Sequence, residues 1–280
     1  MDNAKVKNYI ILVLLLVNVF LLGIVLTNAL QERRATAERK QALSDVLSQN
    51  GIRLADGVEL MQSVPAQVTL RRDEARETQI VTALLGSAER SDLGGNVYVY
   101  TAGNGGEARF RGTGDFTVLL GGSGMSVGKS PVDTAAGLLQ PMGLRADEKA
   151  VHTQGSGDNE DVTFSCVWSG STVYNARVTF HFSAGQLCLI TGTRLFDTQS
   201  ARVSLDNCPD GITVLMNFLQ SVRSTGDVCT EIRSLELGYF MSSAVSGECT
   251  LRPVWCVETD SRAYYIDAET GKSETLDAAA

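Results

Sequence analysis

Histidine is nearly missing from these 280 residues, occurring only as His152 and His181. Neither stands in H-E-x-x-H or another helix-borne metal spacing, which argues against a zinc protease. The pattern places His181 on the polar face of a strand and His152 in a polar loop. Proline is scarce at 5, and aromatic residues make up only 6% of the chain. An excess of positive charge is also lacking: 24 Lys and Arg against 32 Asp and Glu give a net charge of −8. That balance argues against a nucleic-acid partner and against a polybasic grip on anionic headgroups. The first half contains no cysteine. The six in the second half, Cys166, Cys188, Cys208, Cys229, Cys249 and Cys256, form no C-x-x-C pair, so neither a zinc ribbon nor a thioredoxin motif is supported.

The catalytic motifs fail in the same way. Gly121-Gly122-Ser123-Gly124-Met125 misses the nucleophile elbow G-x-S-x-G at its last position. The stretch ending Gly128-Lys129-Ser130 would need a glycine where Ser123 stands to cradle phosphates. The acidic clusters Asp158-Glu160-Asp161 and 269–274 do not place carboxylates alternately around a central glycine, as a calcium loop requires. We therefore expect no catalytic, cofactor-binding or metal-ligating residues. The expectation is a non-enzymatic protein that binds something.

What the sequence does have is one long apolar run. Residues 9–26 read YIILVLLLVNVFLLGIVL, and eighteen helical residues cover about 27 Å, close to the hydrocarbon thickness of a bilayer. The expected organisation is a tail at 1–8 and a single transmembrane helix at 9–30. Cleavage of the run as a signal peptide is the competing reading, with Thr27-Asn28-Ala29 as a weak site. The run is longer than the 7–15-residue apolar core of such peptides. No cysteine near its end offers a lipid attachment point. Lys5 and Lys7 before the span against Arg33, Arg34, Arg39 and Lys40 after it would favour an outside amino terminus, but Glu32 and Glu38 are interleaved, so charge leaves the orientation open. Within the run, Asn18 is the one strongly polar side chain, and Gly23 and Thr27 lie four apart on another face. These three are the candidate contacts to a partner helix.

Beyond the span, residues 31–50 read as a helical stalk with Leu43, Val46 and Leu47 at helical spacing, closed by Asn50-Gly51. Residues 51–130 form an N-terminal α+β part. In it, 52–69 is loop-like, 72–85 is an amphipathic helix with Ala75, Ile80, Leu84 and Leu85 on its apolar side, and 96–100, 107–111 and 115–120 are strands. Two similar units follow at 131–200 and 201–275, with a short tail at 276–280. Each unit is a helix (132–142, then 210–222), antiparallel strands and a glycine turn. Val178, Phe180 and Phe182 alternate with Arg177, Thr179 and His181. Leu251, Pro253, Trp255 and Val257 alternate with Arg252, Val254, Cys256 and Glu258. Such alternation predicts sheets covered by helices on one face, an α+β fold. Six cysteines permit fifteen disulfide connectivities, while Cys166 shares its face with Val162, Phe164 and Trp168, where a free thiol behaves as a small hydrophobe.

Three segments carry a family resemblance. The opening, Met1-Asp2 with Lys5 and Lys7 ahead of residues 10–16 and Asn18, Val19, Phe20, Leu21 and Leu22, is similar to the start of YycI proteins. So is the stalk passage 43–47 with Asn50-Gly51-Ile52 and Leu54. The ending, Leu251-Arg252-Pro253-Val254-Trp255 and then residues 263–271, resembles the strand pair that closes YycI, YycH and PepSY-type domains. The resemblance implies tandem PepSY-like units on a single-span membrane regulator, with the amino terminus cytoplasmic and the large domain outside the cell membrane. It also implies partners: a WalK-type sensor histidine kinase of a two-component system governing cell-wall homeostasis, and a YycH-like partner regulator. The six cysteines depart from that family's usual pattern. A PepSY-like peptide-binding or protease-inhibitor-type module at the cell surface is the other reading.

Overall fold

The computed structural model describes residues 3–60, 62–122, 124–156, 158–243 and 248–274. Its first element, α1 (Asn3–Gln49), runs unbroken through the apolar run and the stalk. The helix stops where the sequence provides a stop. The Asn50 N–H donates to the Leu47 carbonyl at 2.9 Å, and Gly51 takes φ +74°, a left-handed conformation that glycine adopts without a Cβ penalty.

The chain continues through β1 (Arg53–Leu54), β2 (Gln67–Arg71), α2 (Glu74–Leu85), β3 (Ala88–Asp92), β4 (Tyr98–Ala102), β5 (Glu107–Phe110), β6 (Asp115–Leu119), β7 (Met125–Ser126) and α3 (Pro131–Leu139). It then forms β8 (Ala146–Ser156), β9 (Asn159–Trp168), β10 (Ser171–Ser183), β11 (Gln186–Thr193), β12 (Thr198–Val203), α4 (Gly211–Thr225), β13 (Glu231–Ser243), β14 (Glu248–Thr259), β15 (Ala263–Asp267) and β16 (Ser273–Glu274). Each short helix starts on a side-chain oxygen that accepts a backbone N–H three residues on: Asp73 from Arg76, Ser130 from Asp133 and Asp210 from Thr213. Such caps satisfy donors that the first turn would otherwise leave bare.

The fold is α+β, built as two helix-covered, mainly antiparallel sheets. In the first, β3-β4-β5-β6-β11-β10-β9-β8 lie side by side, with β7 on β11. Helices α2 and α3 press Ile80, Val81, Leu85, Ala135 and Leu139 onto a core holding Phe110, Phe116, Phe164 and Phe180. In the second, β14 lies between β13 on one edge and both β2 and β15 on the other, with β12 outside β2. Here α4 and the end of α1 cover the sheet, burying Phe218, Leu215, Leu43 and Leu47 against Trp255, Val257, Tyr264 and Ile266. A parallel bridge between Val173 of β10 and Tyr239 of β13 joins the two sheets.

Several elements differ from the expectation. The stretch 52–69 is not only loop, because β1 and β2 pair with β13 and β14. Strands β3, β8 and β12 are additional, and His152 stands on β8 rather than in a loop. These strands lie at sheet edges and are largely exposed, so their sequences carry little apolar alternation. The polar face expected for β14 fails at its centre, where Val254 and Cys256 are buried too. There Tyr174, Phe240 and Tyr265 cover the second face of the sheet, with ring centroids 4.9–6.3 Å apart.

Gly238 makes that cover possible. A Cβ there would stand 2.5 Å from both the Thr172 carbonyl oxygen and the Tyr174 ring. Gly238→Ala is therefore expected to destabilise the protein by about 1–3 kcal/mol, the usual cost of overpacking. Urea unfolding measures it, and an unchanged midpoint would contradict this account of the joint.

Candidate functional site

The most heavily charged part of the interior lies under the start of α2. Arg72 precedes the cap residue Asp73, and Glu77 sits one turn into the helix, fully buried. On a 3.6-residue helix Glu77 shares a side with Ile80, Val81 and Leu84, so it enters the core with them. Its Oε1 accepts from Arg72 Nε at 2.7 Å and from Arg194 Nη1 at 3.0 Å, and its Oε2 accepts from Arg72 Nη2 at 3.0 Å. Arg72 also donates to the carbonyls of Asn96 and Phe110. The Tyr98 ring lies between Arg72 and Arg90, whose guanidinium carbons stand 4.2 and 3.9 Å from its centroid.

Arg194 comes from the loop between β11 and β12, as does Asp197, and both are buried. Asp197 Oδ1 accepts the Asp73 N–H at 3.4 Å. Its Oδ2 lies 3.5 Å from Arg194 Nη2 and has no hydrogen-bond partner. Burial pushes the Asp197 carboxyl up to about 6, against the opposing pull of Arg194 and of the Asp73 N–H. Asp197 also lines a cleft of about 300 Å³, together with Leu195, Phe196, Val167, Trp168, Ser169, Gly143 and Arg145. The Arg76 guanidinium lies against Gly143, one of the lining residues, where a side chain on that glycine would be. Glu77, Arg194, Asp197 and Arg145 belong to no motif in the sequence. The legible signal was a carboxylate on the apolar side of a helix.

The residues singled out from sequence lie elsewhere. Asn18, Gly23 and Thr27 are all exposed on α1. The Thr27 hydroxyl donates to the Gly23 carbonyl at 3.0 Å, and a Cβ at Gly23 would meet nothing within 4 Å. Around them, Val13 to Val17 and Val19 to Leu22 are large apolar side chains, 48–65% exposed. The side chains of 9–12, 24–26 and 28–30 lie outside the described residues, as do residues 1 and 2 and the tail at 276–280. Among the described residues no helix is long and apolar enough to cross a membrane.

His181 is half-buried on its polar face, between Asp161 at 2.8 Å and Thr191 at 3.2 Å. Ser130 of the glycine-rich stretch serves as the cap of α3. All six cysteines carry free thiols, and burial raises that of Cys166 to about 12.

No family model matches the chain, and no curated protein matches it. Eleven solved chains are similar to it. One is an uncharacterized protein from Eubacterium rectale, 10% identical over 80% of this chain and 90% of that one, with a TM-score of 0.47. Another is the Bacillus megaterium YpeB C-terminal domain, 10% identical over 74% of this chain and 97% of that one, with a TM-score of 0.39. The likeness to YycI and YycH proteins rests on the sequence segments alone.

Proposed function

We propose that this protein is a non-enzymatic, membrane-anchored regulator that works by binding, its first helix reporting the state of the folded domain to a partner in the membrane. The observation that carries the reading is the continuity of α1. One helix bears the exposed apolar belt at 13–22 and ends with Leu43 and Leu47 only 2% and 1% exposed in the core of the second sheet. Each buried leucine contributes on the order of 2 kcal/mol to that attachment. From Leu22 to Leu43 the rod spans about 32 Å at 1.5 Å per residue. Two further contacts fix it to α4: Arg39 pairs with the cap residue Asp210 at 2.6 Å, and Arg223 near the far end of α4 donates to Asn50. A tilt of α4 is thus transmitted to the apolar belt.

In this reading the domain lies outside the cell membrane and the partner is a WalK-type sensor histidine kinase, accompanied by a YycH-like regulator, as the sequence resemblance implies. The regulator shifts the kinase only by its difference in affinity for the two signalling states. Replacing residues 9–30 with an unrelated apolar span is expected to abolish kinase co-purification while leaving the far-ultraviolet circular dichroism of the domain unchanged. Undiminished co-purification would move the contact to the domain and end this version of the proposal.

A second reading, a PepSY-like module that captures an extended peptide, is favoured by β12. All six of its residues are exposed, and among the described residues it pairs only with β2, leaving an open edge. An added strand would use the unpaired backbone groups there. Amide-exchange protection of 198–203 on peptide addition is the expected sign; unchanged exchange across a peptide library would remove this reading.

A further inference from the structure

We infer that the cleft between Trp168, Arg145 and Asp197 is a binding site for a small zwitterion of the amino-acid or short-peptide class, a function beyond the regulatory reading above and independent of it. The floor is a buried carboxylate: Asp197 is 3% exposed, and its Oδ2, 3.5 Å from Arg194 Nη2, has no hydrogen-bond partner. A buried oxygen in that condition costs stability until a donor reaches it. Trp168, half-buried at the end of β9, stands beside this floor among the lining residues. A carboxylate and an indole together suit an ammonium group.

The rim has the opposite charge. Arg145 lines the cleft and is exposed, and Arg76 lies over Gly143. A simple cation would therefore meet repulsion at the rim, and a simple anion would leave the Asp197 Oδ2 without a donor. A molecule carrying an ammonium and a carboxylate a few ångströms apart satisfies both ends. The volume of about 300 Å³ stands at the small end of ligand pockets and suits one or two amino-acid residues. Gly143, at φ +71° and directly beneath the Arg76 guanidinium, leaves room for that arginine at the rim.

Calorimetric titration of the full chain in detergent tests the inference, with glycine, L-alanine, D-alanine and dialanine as probes. The controls are their N-acetylated and C-amidated forms. At least one free zwitterion is expected to bind, and both blocking groups are expected to weaken it about tenfold or more, since each removes one charged end. Arg145→Ala, at an exposed position, is expected to weaken the free form about tenfold and leave the amidated form unchanged. Asp197→Asn is expected to abolish the response to the ammonium, with circular dichroism confirming its fold. Support requires both blocking effects and the Arg145→Ala effect. Any other pattern, including no heat from any zwitterion up to about 20 mM, the weak limit of useful affinity, overturns the assignment.

Discussion

Replacing Glu77 with leucine is expected to destabilise the fold by about 3–5 kcal/mol, the usual cost of leaving a buried charge without its partner. Glu77 and Arg194 are both fully buried, and the Glu77 carboxylate accepts a hydrogen bond from the Arg194 guanidinium at 3.0 Å. Without it, Arg194 keeps Asp197, 3.5 Å away, as its carboxylate among the described residues, and Arg72 loses two of its four hydrogen bonds. Chemical denaturation by circular dichroism measures the loss. The double variant Glu77→Leu/Arg194→Met is expected to recover most of it, because removing both charges removes the desolvation cost along with the attraction. A single variant as stable as the parent would show that the pair does not hold α2 to the β11–β12 loop. A double variant no better than the single would place the loss in packing.

This network marks the point where legibility in the sequence ends. Helices α2, α3 and α4 were readable because each has a polar cap followed by apolar residues at helical spacing, and the long strands β9, β10, β13 and β14 because they alternate. The edge strands were not, since a strand with both faces in water needs no apolar period. On β14 the prediction of one polar face failed for the opposite reason: a distant tyrosine from β10 and another from β15 cover that side. No local pattern reports such long-range cover. The cleft was illegible in the same sense. Arg145 precedes β8, Trp168 ends β9 and Asp197 lies in the loop between β11 and β12, so they stand far apart in sequence and meet only in the fold. By contrast, Asn18, Gly23 and Thr27 were legible as polar or small positions in an apolar run, and they stand exposed on α1.

Stability should also fall with rising pH across the range where Asp197 titrates. Burial holds its carboxyl at about 6 in the folded protein, against 3.8 for a solvated aspartate in the unfolded chain. Because the folded pKa is the higher one, the folded state keeps a proton that the unfolded state has lost. The resulting stabilisation is fully present below pH 3.8 and disappears as pH rises through 6. Across its whole range the effect is on the order of 3 kcal/mol, and about 1.4 kcal/mol of it falls between pH 5 and pH 7.5. The groups facing Asp197 are Arg194 from its own loop, Asp73, Arg72 and Glu77 from around the start of α2, and the Cys249 thiol from β14. Arg145 shares the cleft. Comparing the parent with Asp197→Asn at both pH values isolates the one carboxyl, since every other titration is common to the two proteins. The difference in unfolding free energy should move in favour of the variant as pH rises; a pH-independent difference, or one of opposite sign, would show that Asp197 is ionised as readily in the fold as in water. A zwitterion whose ammonium rests on the ionised carboxylate draws the same equilibrium the other way. With such a ligand at saturation the pH slope should flatten, which ties the stability of the loop to occupancy of the cleft.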